Sequence, residues 1–93
     1  MADEVYWRII HETPDKQVRL VINEFRGVEY LHLREYYLDF DEVWLPSNKG
    51  VSMPLTFDNS RELFAGLLEI LSLAESKELI AENMKELLEA TYN

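Results

Sequence analysis

Residues Phe25 to Met53 read FRGVEYLHLREYYLDFDEVWLPSNKGVSM, and this stretch decides the fold. It opens with a tight connection at Phe25-Arg26-Gly27, where Gly27 tolerates a positive φ. Val28 to Leu38 follows, dense in aromatic and aliphatic residues, and predicts a long strand pairing back on the segment before the turn. Asp39 to Glu42 is an acidic turn. Trp44 looks exposed, and Pro46-Ser47-Asn48-Lys49-Gly50 is a run of breakers. That leaves a short fourth strand at Val51 to Met53, ended by Pro54. Aromatic and cationic residues interleave throughout: Phe25, Arg26, Tyr30, Arg34, Tyr36, Tyr37, Trp44 and Lys49. A ring can stack on an unpaired base while a cation meets its phosphate, so the mixture suits a surface for single-stranded nucleic acid.

Upstream, Val18 to Phe25 alternates as a strand does. Val18, Leu20 and Ile22 share one face and read as core. Arg19, Val21, Asn23 and Phe25 share the other and read as a mixed, exposed face. Val5 to His11 is a first strand, separated from the second by the turn residues Glu12 to Lys16. In the third strand Tyr30, His32, Arg34 and Tyr36 share one face, and Leu31, Leu33 and Tyr37 the other. Arg34 and Tyr37 therefore point apart unless the strand bends or bulges near Glu35-Tyr36.

Downstream the period changes. Leu63, Leu67, Ile70, Leu71 and Ala74 recur at helical spacing, continued by Ile80, Met84, Leu87 and Leu88. Asn59 with Glu62 suggests a capping box. One long helix fits, as does a break at Glu75-Ser76-Lys77 with Ser76 as a new cap. The predicted fold is α+β: a four-stranded, curved antiparallel sheet followed by a C-terminal helix. Residues 1–93 read as one domain, with strands over 5–53 and the helical region over 60–91. The helical stripe exceeds what one small sheet can cover, which predicts a homodimer.

Composition narrows the function. The chain has 93 residues, 47% of them hydrophobic, and no cysteine, so neither a disulfide framework nor a Cys-based metal site is available. No apolar run is long enough to span a membrane, and the acidic N-terminus is unlike a secretory signal. An intracellular protein is expected, in cytoplasm or nucleoid for a prokaryote or virus and in the nucleus for a eukaryote. His11 and His32 stand alone, and no metal-ligand spacing, phosphate loop or nucleophile elbow occurs. Neither cofactor nor catalysis is expected. The net charge is −9, with six cations against eleven anions up to Ser60 and three against seven beyond it. Nucleic-acid binders are usually basic. Binding therefore needs Arg8, Arg19, Arg26, Arg34 and Lys49 to cluster into a positive strip.

Three motifs in this region, EFRG at Glu24–Gly27, LREYYLD at Leu33–Asp39 and PxxKGVS at Pro46–Ser52, occur at a spacing that resembles the positive cofactor four family of transcriptional coactivators, distant kin of the plant Whirly proteins. The resemblance covers Val18 to Met53. It implies a homodimer that binds single-stranded DNA, with Phe25 stacking on a base, Tyr37 packing against the nucleotide chain, and Arg26, Arg34 and Lys49 lining the groove. Val28, Leu45 and Asn48 depart from the family, which often carries Lys or Arg there. A different reading of the same fold is an acidic interaction module that docks on a basic partner, such as a transcription or replication protein, or mimics DNA.

Overall fold

The computed structural model describes residues 3–92, and they divide into two compact units, one up to Asn59 and one from Ser60. The first is a four-stranded antiparallel meander in the order β1-β2-β3-β4. Its strands are β1 (Asp3–Glu12), β2 (Lys16–Phe25), β3 (Val28–Leu38) and β4 (Trp44–Pro54). β3 has the bounds its sequence predicts, and β1 and β2 run slightly longer than expected.

β4 corrects the sequence reading. The run of breakers lies inside an eleven-residue strand and not in a loop before a short one. Two facts reconcile Pro46 and Gly50 with a strand. β4 is an edge, so Pro46 need not supply an N–H to a further neighbour. The register also jumps between Arg34↔Gly50 and Tyr36↔Pro46, so Ser47, Asn48 and Lys49 form a bulge. Trp44, which looked exposed, is half-buried and pairs with Leu38.

The β2–β3 connection is a two-residue turn with positive φ at both central residues, 53° at Arg26 and 79° at Gly27. This is the type I′ geometry whose twist matches the flanking strands. The pairing then runs without a slip from Phe25↔Val28 to Lys16↔Tyr37. β1 carries two further register shifts, between Glu4 and Tyr6 and between Ile9 and His11. Bulges of this kind bend a sheet.

Parity assigns the two faces. Arg19, Val21 and Asn23 pair with Arg34, His32 and Tyr30, and Trp7 pairs with Val21. Among the described residues the most buried are Val21 at 2%, Gln17 at 3%, Tyr36 at 5% and Leu31 at 6%. Val21, Gln17 and Tyr36 lie on the Arg19 face and Leu31 on the Val18-Leu20-Ile22 face, so burial is not confined to the face expected to be the core. Val18, Leu20 and Ile22 are only half-buried.

The helical region holds two helices, not one: α1 (Phe57–Ser72) and α2 (Lys77–Thr91). Ser76 is the cap of α2, its hydroxyl accepting from the Leu79 N–H at 3.2 Å. α1 starts earlier than the expected Asn59 cap. Thr56 Oγ1 accepts from the Asn59 N–H at 3.0 Å, and the Asn59 amide donates to the Pro54 carbonyl at 2.8 Å. No described residue of either helix is buried, although Leu67, Ile70 and Leu71 are 53%, 65% and 42% exposed.

Candidate nucleic-acid interface

β2 and β3 bring Phe25, Arg19 and Arg34 to one face of the sheet, where Phe25 and Arg34 help to line an open concavity of about 600 Å³ formed by residues of all four strands. Phe25 stands at the hairpin corner, 45% exposed, so the ring is not a core residue. The Arg26 guanidinium lies over it at 5.0 Å.

Arg19 and Arg34 are direct cross-strand partners. Like charges so placed repel. Each is held by other groups: the Arg19 guanidinium lies between the rings of Trp7 at 4.4 Å and Tyr36 at 4.1 Å. Its Nε donates to Gln17 Oε1 at 2.8 Å, and Gln17 Nε2 donates to Glu12 at 2.6 Å. Arg34 donates to the Ser47 carbonyl at 3.3 Å, a group exposed by the β4 bulge.

His32 sits between them in the pattern. Its Nε2 is hydrogen-bonded to Asn23 Oδ1, and its Nδ1 faces Arg34 Nη2 at 3.5 Å. Only the neutral ring with its hydrogen on Nε2 suits both neighbours. Burial, then the Arg34 charge, holds the His32 pKa below its ordinary 6.5. Burial and Glu4 push the Tyr36 hydroxyl up, so it remains a donor, reaching Glu4 at 3.4 Å.

A pH dependence follows. As pH falls past 6.5 the unfolded chain takes up a proton on His32 before the folded one does. The unfolded state then binds more protons, so stability declines on acidification through that window and is fully present above it. Urea unfolding at stepped pH should show this slope in the parent and a flatter profile in His32→Gln. Identical profiles would contradict it.

Tyr37 and Lys49 are not brought to this concavity. The unbroken β2–β3 register keeps β3 straight in parity, so Tyr37 lies on the opposite face from Arg34. The bulge anticipated near Glu35-Tyr36 is in β4 instead. Lys49 reaches Glu35 at 4.0 Å, as does Lys16 at 3.8 Å, and Glu35 shares the Tyr37 face. Arg8, paired with Leu20, is also on that face. The five cations therefore form two groups, not one strip. Trp7, Asn23 and His32 share that face without having been singled out as site residues, and Tyr30 and Tyr36, read only as part of the aromatic mixture, join them. The period-two parity of β2 and β3 was the signal that could have found them.

A meander of four antiparallel strands followed by helices is a fold this chain shares with known proteins. The family described as Transcriptional Coactivator p15 (PC4) matches residues 13–57. A bacteriophage T5 homologue of the eukaryotic coactivator PC4, implicated in recombination-dependent DNA replication, is 32% identical over 92% of this chain and 94% of its own, with a TM-score of 0.71. The chain belongs to the PC4 coactivator family. A PC4 homologue from Burkholderia pseudomallei, 20% identical over 81% of this chain and 93% of its own, shares the fold at a TM-score of 0.61. A Caenorhabditis elegans protein named as a candidate RNA polymerase II transcriptional coactivator is 46% identical over 33 residues, 34% of this chain. That match spans 27% of the worm protein's length. No helix among the described residues is long and apolar enough to cross a membrane.

Proposed function

We propose that the protein binds single-stranded DNA as a homodimer, without catalysis, and serves as an accessory factor in transcription, replication or repair. The observation that carries this reading is the exposed Phe25 ring beside Arg26, at a concavity that Arg34 also lines, with Arg19 on the same face of the sheet. Phe25 stacks on a base, and Arg26 and Arg34 meet phosphates. Stacking tolerates every base, so sequence preference from it is weak. Tyr37 and Lys49, with Lys16, form a second patch on the other face of the sheet. A strand that wraps the edge at β4 reaches both. The dimer is supported by the helices, none of whose described residues is buried. Residues 1–93 act as one functional domain in this reading, the sheet for nucleic acid and the helices for the partner copy.

Phe25→Ala and Arg34→Ala test the site. Phe25→Ala should weaken single-strand binding by roughly 1–3 kcal/mol, the range for one stacked base, with little change in folding stability. Were Phe25 a core residue, stability would instead fall by about 3–5 kcal/mol. Arg34→Ala should weaken all sequences alike and lower the salt slope by somewhat less than one unit. The two sites lie on paired strands and can couple, so the double variant belongs beside the single ones. If both variants stay folded and bind as the parent does, the site is elsewhere, and the acidic interaction module becomes the better reading.

A further inference from the structure

Glu4 is out of place in a phosphate groove. It lies on the same concavity as Phe25 and Arg34, and its carboxylate repels a phosphate brought there. Its direct cross-strand partner is Asn23. Partners of this kind hold their Cβ atoms about 5 Å apart, so carboxylate and carboxamide stand side by side. Asn23 Oδ1 is occupied by His32 Nε2, and Arg34 faces His32 from the other side. This fixes the flip of the Asn23 amide and leaves Nδ2 as its donor side. The pair therefore combines donors from Asn23 with acceptors from Glu4, whose Oε2 also accepts from the Tyr36 hydroxyl at 3.4 Å. Tyr30, the β3 partner of Asn23, and Phe25 line the same hollow and supply flat walls. The volume, about 600 Å³, falls in the range of small-ligand sites.

We infer that this hollow receives one base of the bound strand and favours guanine, with Glu4 accepting from its N1–H and N2–H groups and Asn23 donating to its O6. Among the four bases only guanine presents two adjacent N–H donors to a carboxylate, with a carbonyl acceptor beside them. Thymine has a single N–H between two carbonyls, and its second carbonyl would face Glu4. Arg34 and Arg26 hold the phosphates outside while the base turns inward. His32 acts as a positioning residue, through Asn23. This rests on the single-strand reading above and adds a base preference at one position of an otherwise tolerant site.

The test uses fluorescence anisotropy with labelled thymidine strands: one all thymidine, one with a single central guanine, and one with hypoxanthine there, which lacks the N2 amino group. The parent should favour the guanine strand roughly tenfold, as one good bidentate contact to a base would, with hypoxanthine between. Glu4→Gln should lose the preference, read as the ratio of guanine-strand to all-thymidine affinity within the variant. Asn23→Ala should reduce the preference with a smaller effect on thymidine. Circular dichroism checks that each variant folds. Equal binding of guanine and thymidine strands by the parent overturns the base pocket while leaving the groove intact, as does a guanine preference that survives Glu4→Gln. If no strand binds, the groove reading fails, and the pocket with it.

Discussion

Gly50→Ala should be the most damaging single methyl in the sheet. A Cβ at residue 50 would lie 2.5 Å from the Leu33 carbonyl oxygen and 3.0 Å from the Arg34 Cα. Both are backbone atoms of β3, the strand that β4 pairs with, so neither can swing aside as a side-chain tip would. Either β4 lifts from the ladder or the Leu33–Arg34 backbone shifts, and Arg34 moves with it. Overpacking against rigid surroundings costs roughly 1–3 kcal/mol and sometimes more, and lost ladder hydrogen bonds add to it, so about 3 kcal/mol or more is expected. Gly27→Ala is the useful contrast. Nothing lies within 4 Å of a Cβ there, and the cost is that of φ 79° alone, about 1–2 kcal/mol. Urea unfolding should rank the two in that order. Equal midpoints would mean that β4 does not press on β3 as described.

The second large effect concerns assembly. Leu67→Asp places a charge in the centre of the α1 stripe, where the parent leucine is 53% exposed in a single chain. If a second copy covers that stripe, the charge is buried without a partner, a costly change. A loss of about 4 kcal/mol would raise the dimer dissociation constant roughly a thousandfold. Light scattering should give twice the 11.0 kDa chain mass for the parent and a monomer or an unfolded chain for the variant. A parent that scatters as a single chain at micromolar concentration removes the dimer, as does a Leu67→Asp variant that remains a stable one.

Local signals made most of the fold legible. β3 could be bounded at both ends because Gly27 marks its start and Asp39 accepts from the Asp41 and Val43 N–H groups just past its end. The helical stripe announced itself by period, and Ser76 marked the break. β4 was misread because Pro46 and Gly50 are breakers only where the chain must pair on both sides or carry a Cβ. An edge strand with a bulge demands neither, and that arrangement is a tertiary fact. Burial on the Arg19 face was missed for a related reason. Hydrophobicity favoured Val18, Leu20 and Ile22, yet Gln17 and Tyr36 are buried through a polar chain of Glu12, Gln17 and Arg19 that no single-strand pattern reveals. Of the site residues, Arg19, Phe25 and Arg34 share one face by register, and the Arg26 guanidinium lies over the Phe25 ring. Tyr37 and Lys49 followed from motif resemblance, which carries no parity, and the register sends them to the other face.

Single strands against duplex is the direct comparison. Labelled DNA of one sequence, single- and double-stranded, should be titrated at low and at physiological salt. Single strands should bind better than duplex, because only unpaired bases present a free face to Phe25. Each neutralised phosphate contributes roughly −0.7 to the log–log salt slope, and the few cations here predict a shallow dependence. Equal or tighter duplex binding, or a slope steeper than about −6, would contradict a stacking groove built on Phe25, Arg26 and Arg34.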